Sequence, residues 1–465
     1  MSTSSDAALD TKLNELEALG RDLVQRATAQ GATLAECVIR TGRELSAKVR
    51  LGEVELLEEA GHHGVGLRVM RGQRVASATT SDLRPSALDA FVREVVGLAE
   101  WTEEDAFAGP ADSALLCDPS ALADLNLYDP SGDTLGAKDG ILRATRTEQF
   151  ARGKDTRISN SDGATFSHAT GGSITVLSSG FVAKHKGSSF GLGVSVLAED
   201  EGGKKRRGGY GSGKRHLSDL ETEHFVGEEA ARRTLRKLGA RGAATGEYPV
   251  VFDRDAARSL LGQLSGCVMG GSVWRKSSYL AGREGTRIGS ELLNIVDDPL
   301  LMRGPGSRSH DGEGLASRKN VVVENGVLRT YLCDSYSARK LGRASTASAS
   351  RGGSGGVSAS TTNFYLKPGT DSFEALVKAT PRGLLVTDMM GFGFNAVTGD
   401  FSRGASGFWI ENGEIAYPVS EVTVSLNFNE LWDRIDAIAS DLQHDSSIAS
   451  PGFRVGRMTV AGKAE

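Results

Sequence analysis

Metal chemistry needs clustered donors. The eight histidines are His62, His63, His168, His185, His216, His224, His310 and His444. A zincin helix sets two imidazoles four residues apart on one face, with a Glu to activate water. No pair here has that spacing. His62 and His63 are neighbours, and adjacent side chains on a strand point to opposite faces. His310-Asp311-Gly312-Glu313 is the densest group of donors, and an exposed polar turn accounts for it. Gly208–Lys214, GGYGSGK, satisfies the phosphate-loop spacing. Arg215 follows where Ser or Thr should meet Mg²⁺, and no apolar strand feeds the segment. The neighbouring Lys204, Lys205, Arg206 and Arg207 are offset by Glu199, Asp200 and Glu201 and read as a solvated loop. Ser354 in GGSGG has the spacing of a nucleophile elbow but low-complexity flanks instead of a strand and a helix. Cys267, late in an apolar helix, reads as a small buried residue. None of these patterns makes an enzyme by itself.

The elements that must position such residues are many and short. Gly is 59 of 465 residues, well above the usual ~7%, which predicts frequent turns and a strand-rich chain. Lys plus Arg is 54 against 59 Asp plus Glu, so net charge −5 argues against a basic nucleic-acid binder. Cys37, Cys117, Cys267 and Cys333 form no CxxC pair. No apolar run reaches the length of a membrane span. The N-terminus lacks the basic and apolar regions of a signal peptide, so a cytoplasmic protein is expected.

Leu9, Leu13, Leu16, Leu19 and Leu23 predict an opening helix. Short strands follow at 35–39, 45–49, 54–57, 65–70 and 74–78, then helices at 86–98 and 134–150. Further strands are expected at 156–160, 165–169, 173–178, 181–185 and 190–197. Residues 199–214 read as a loop and 221–238 as a helix. The Gly/Ala-rich 239–246 is the best domain boundary. Beyond it come a strand at 248–252 and a helix capped by Asp253 that ends near Cys267. Two Glu-Asn-Gly turns, at 324–326 and 411–413, predict type I′ hairpins, taken as two turns of one sheet. A strand at 421–426 and a helix at 429–439 close the pattern, and 343–361 reads as a mobile loop. The fold class is therefore α+β in two domains. Residues 1–240 form an N-terminal domain of antiparallel strands with flanking helices, and 241–465 a strand-rich domain with hairpins.

The second half resembles a known family. The residues that carry the likeness are GSVWRKSS (271–278), Asp297-Asp298-Pro299, Asp311-Gly312-Glu313-Gly314, NGVLRTYLCDSYSARKLG (325–342), TNFYLKPG (362–369) and the long run 383–423. Together they resemble the TldE/PmbA branch of the TldD/PmbA family, over roughly residues 245–465. That family includes a heterodimeric bacterial metalloprotease. In its zinc-bearing TldD subunit, a helix carries HExxxH and a C-terminal Cys adds a ligand. The matching positions here hold Gly262, Gln263 and Cys267, with Ser450 near the Cys position. Gly offers no ligand atom, and an amide cannot take a proton from water as a carboxylate does. The resemblance therefore implies a zinc-lacking subunit with no cofactor of its own. Zinc is expected in a TldD-like partner that acts on unfolded peptides. Asn363 and Tyr365 would share one strand face and line a peptide chamber, unless they only pack within the sheet. The alternatives are a stand-alone peptide-binding or regulatory homodimer, linked to the family's historical gyrase-modulating description, and a hydrolase using Cys267. No membrane or nucleic-acid partner is expected.

Overall fold

The computed structural model describes residues 2–353 and 355–463. The first helix, α1 (Ser2–Ala29), buries Leu13, Leu16, Leu23 and Ala27 and stops at Gly31, whose φ of 99° suits only glycine. Three strands follow: β1 (Leu34–Arg50), β2 (Glu53–Arg71) and β3 (Arg74–Thr80). Next come α2 (Pro85–Leu98) and α3 (Ala137–Gly153). Then β4 (Ile158–Leu177), β5 (Val182–Glu199) and β6 (Lys205–Lys214) complete one antiparallel sheet in the order β3-β2-β1-β4-β5-β6. Helix α4 (Glu223–Leu235) ends this half.

The short strands expected along this half are segments of long ones. The runs at 35–39 and 45–49 are both β1, and 54–57 and 65–70 are both β2. Polar stretches within a strand break the hydrophobic signal without breaking the ladder. Their burial explains the layering. Cys37, Ile39, Leu45 and Val49 of β1 share one face. The first two pack under α1 and α2, and the last two under α3 and α4. Two helix pairs therefore lie end to end on one face. The expected loop over 199–214 is corrected in part: 205–214 is β6, paired with β5 from Phe190↔Lys214 to Glu199↔Lys205. Its glycines obscured it, because β-propensity scores side chains that are absent there.

The second half opens with β7 (Gly246–Phe252) and α5 (Arg254–Cys267), capped by Asp253 accepting from the Ala256 N–H at 3.0 Å. Then follow α6 (Gly270–Trp274), β8 (Ile295–Asp297), β9 (Asn320–Glu324), β10 (Val327–Leu328) and α7 (Ser335–Lys340). The rest of the half comprises β11 (Ala349–Arg351), β12 (Val357–Ala359), β13 (Phe364–Leu366), α8 (Phe373–Lys378), β14 (Arg382–Met390), β15 (Asp400–Glu411), β16 (Glu414–Asn427), α9 (Phe428–Asp433), β17 (Ile435–Ile438), β18 (Ile448–Ala449) and β19 (Phe453–Ala461). One sheet runs β16-β15-β14-β7-β19-β17, and an extra β16–β19 pairing closes its first five strands into a barrel. A second sheet runs β10-β9-β8-β13-β18. Helix α5 is buried against both through Leu260, Leu261 and Leu264.

Three expectations need correction here. Both Asn-Gly turns form, with Asn325 and Asn412 at φ 49° and 53°, but they belong to different sheets. The helix at 429–439 ends at Asp433, and 435–438 is β17. Most of 343–361 is ordered, with β11 and β12 forming a hairpin.

Candidate functional site

Helix α5 carries three of the four positions implied by the family likeness, and β18 leads into the fourth. The two elements pack together: a Cβ built at Gly262 would lie 3.7 Å from Ile448 Cδ1. Ser450 follows β18, which pairs with β13 through Phe364↔Ile448 and Tyr365↔Ala449. So Gly262, Gln263, Cys267 and Ser450 belong to one packed neighbourhood.

Their chemistry does not suit a cation. Cys267 is 1% exposed and its Sγ donates to the Gln263 carbonyl at 3.5 Å. Burial pushes its thiol up to about 11, so without a metal beside it the sulfur stays protonated at neutral pH and is a poor nucleophile. Ser450 Oγ donates to Pro451 O at 2.8 Å. Gln263 Oε1 is buried and has no hydrogen-bond partner among the described residues. One orphan amide oxygen beside a glycine and a protonated thiol does not make a zinc site. The zinc of the family's metal-bearing subunit therefore does not fit these residues. Among the described residues, no group of three His, Cys, Asp or Glu side chains is arranged around a common point for a metal.

Ser450 instead lines a cavity of about 410 Å³ between the two halves. Gly209, Tyr210 and Gly211 of β6 form one wall, and Arg254, Asp255 and Arg258 of α5 another. Arg233 of α4 crosses between them. It donates to Asp255 and Glu229 at 2.8 Å each and sits 4.6 Å from the centre of the Tyr210 ring. Burial, then the Glu221 carboxylate, raises the Tyr210 hydroxyl well above its ordinary range. Sequence reasoning missed this cleft, since Arg233, Arg254 and Arg258 look like ordinary charges on separate helices. The phosphate-loop pattern contributes wall and no phosphate loop. Gly208–Lys214 lies in a strand, and Lys214 pairs with Asp445 at 2.5 Å. Ser354 lies outside the described residues.

Asn363 and Tyr365 face inward. Asn363 is 1% exposed; it donates to Asp298 O at 2.7 Å and Ser307 Oγ at 2.8 Å, and accepts from Gly306 N–H. Tyr365 packs edge-on against His444, ring centres 4.9 Å apart. The His310–Glu313 turn is also corrected: Asp311 and Glu313 are buried, not exposed. Asp311 accepts from the N–H groups of Glu313, Leu315 and Ala349, and Glu313 from Ser335 N–H at 2.8 Å. The turn is a structural knot joining α7 and β11.

An antiparallel sheet with helices on one face, joined to a barrel and a second small sheet, defines a two-part α+β scaffold. Three family models match it: PmbA/TldA metallopeptidase domain 1 over 35–99, the central domain over 130–238 and the C-terminal domain over 245–462. The chain is 36% identical to "Metalloprotease PmbA" of Escherichia coli O157:H7, covering 92% of each. It is 35% identical to the "Metalloprotease PmbA homolog" of Haemophilus influenzae, covering 99% of each. Among solved structures, a "putative modulator of DNA gyrase" from Bacteroides thetaiotaomicron superimposes with a TM-score of 0.90 at 27% identity, covering 97% of this chain and 99% of that one. The chain belongs to the PmbA/TldD metallopeptidase family. Among the described residues, no helix is long and apolar enough to cross a membrane.

Proposed function

We propose that this chain is the zinc-lacking, TldE/PmbA-like subunit of a TldD/TldE-type metalloprotease, and that a zinc-bearing homologue completes the enzyme. The substrates are peptides and unfolded proteins. One observation carries the reading: the motif helix holds Gly262, Gln263 and Cys267, and the only thiol among them is buried and protonated. A catalytic zinc normally has three protein ligands and an open position for water. Gly262, Gln263, Cys267 and Ser450 supply neither the ligands nor a general base beside them. Its part in the reaction is then architectural. Its sheets provide walls against which a partner's active centre is enclosed. The high identity to chains named PmbA supports the same branch.

The test is elemental analysis and peptidase assay of each chain alone and of the two mixed. We expect no zinc in this chain purified without its homologue. We also expect hydrolysis of an unfolded peptide only when the HExxxH-bearing chain is present. One zinc per chain in the isolated protein would overturn the proposal.

A further inference from the structure

The six-stranded sheet is finished on one side and unfinished on the other. On the β6 side, α4 and the second half cover the edge: Arg206 donates to Ala240 O, and Lys237 to Arg207 O. On the opposite side, β3 pairs with β2 only from Val65 to Arg71. Residues 53–64 of β2 pair with β1 alone, and every one of 53–63 is exposed. Their outward N–H and C=O groups form a long edge, broken by one bulge at Glu55, of the kind that natural proteins usually shorten, cover or guard with Lys or Pro. EVELLEEAGHHG has no Lys or Pro and stays exposed over 53–63; its guards are that bulge, between Leu56↔Lys48 and Val54↔Val49, and its carboxylates. The edge also exposes apolar side chains: Val54 is 49% exposed, Leu56 42% and Leu57 44%. A groove of about 540 Å³ runs from it across the face of the sheet, bordered by Glu58 and Ala60 of β2, Glu44 and Ser46 of β1, Ser167 of β4 and Ser189 of β5.

The charges on the edge select the occupant. Glu55 pairs with Lys48 and Arg50, and Glu59 with Arg43. Glu53 and Glu58 have no ion pair among the described residues. The segment contains no Lys or Arg. A second copy of this chain, paired antiparallel about a two-fold axis centred on the acidic stretch, would set carboxylate against carboxylate: Glu58 against its own copy, or Glu59 against its own copy. Like charges directly opposite one another destabilise a strand pair. A distinct chain with Lys or Arg along its edge strand would neutralise the same row.

We propose that β2 residues 53–64 are a sheet-extension interface, on which a different folded chain lays a basic edge strand and covers Val54, Leu56 and Leu57. Resting on the proposed function, that chain is the zinc-bearing homologue. The strand lies on the far side of the sheet from the cleft at Ser450, so it joins subunits and does not present substrate.

The experiment mixes the full-length chain with the HExxxH-bearing homologue of the same genome. Affinity and amide hydrogen exchange are measured for wild type and for two exposed-site variants, Leu56→Lys/Leu57→Lys and Glu53→Lys/Glu58→Lys. Complex formation should slow exchange across 53–64, and each variant should weaken binding at least tenfold while melting like wild type. Unchanged exchange at 53–64 in a complex that does form, or wild-type affinity in both variants, overturns the interface and leaves the proposed function standing. No complex with wild type overturns the proposed function itself. Protection of 53–64 in this chain alone, by self-association or by an unfolded peptide, overturns the choice of occupant.

Discussion

Glu313 shows what burial does to a single carboxyl. Burial, then the charge of neighbouring Asp311, pushes it up to about 7, although Ser335 N–H still bonds it. In the unfolded chain it titrates near the ordinary ~4.3. Between those values the folded state holds a proton that the unfolded state has lost. Stability therefore falls as pH rises through that window and is level above it. Burial pushes Asp297 the same way, up to about 6. Glu313→Gln keeps an acceptor for Ser335 N–H and removes the charge. We expect urea unfolding at pH 8 to show the variant more stable than wild type by roughly 1–3 kcal/mol, with the gap closing at pH 5. Equal stability at pH 8 would show that Glu313 titrates normally. None of this was legible in the sequence, where the acidic turn reads as exposed: residue type gives the chemistry but not the depth. Gly262, Gln263, Cys267 and Ser450 were legible only by likeness, because what marks them is the donors they lack.

Among the elements, the signals that survived were local ones. Asp253 caps α5, and both Asn-Gly turns adopt the positive φ their hairpins require. What failed needed long-range information. The segment 343–361 is poor in apolar residues, yet β11 and β12 are held because β2 lets them come close. A Cβ at Gly66 would lie 2.6 Å from Gly353 O and 2.8 Å from Gly355 N. Arg40 then donates to Arg351 O at 2.7 Å. Backbone oxygens cannot move aside as a flexible side chain can. Gly66→Ala should therefore push the hairpin off the sheet while leaving the β1–β2 ladder paired. Hydrogen exchange should quicken at 349–359 by at least tenfold and stay unchanged at 34–39. Unchanged protection at 349–359 would mean that the contact is not what orders the hairpin.

The whole molecule depends on how the halves are tied, and the ties lie on both sides of the first sheet. Toward β6, Lys237 pairs with Asp388 at 2.9 Å and Arg303 with Asp219 at 2.9 Å. Toward β1 and β2 the tie is a buried triad. Glu36 Oε2 accepts from Arg68 at 2.7 Å and from Arg351 at 2.8 Å. Burial alone would raise Glu36, but Arg351 and then Arg68 outweigh it and hold the carboxyl below its usual range. Its contribution is therefore complete at neutral pH and fades as pH falls through the acid range. Replacing a buried triad with apolar groups can be neutral, whereas removing its one anion leaves two cations buried together. Glu36→Gln should cost about 3 kcal/mol at pH 7, read by urea denaturation. The cost should be larger than that of Arg68→Met, which leaves Glu36 still paired with Arg351. The β6-side contacts persist in both variants, so unfolding should remain a single transition. A second transition in Glu36→Gln would show that the triad alone couples the halves. A cost no greater than that of Arg68→Met would place the stabilisation in packing and not in the charge.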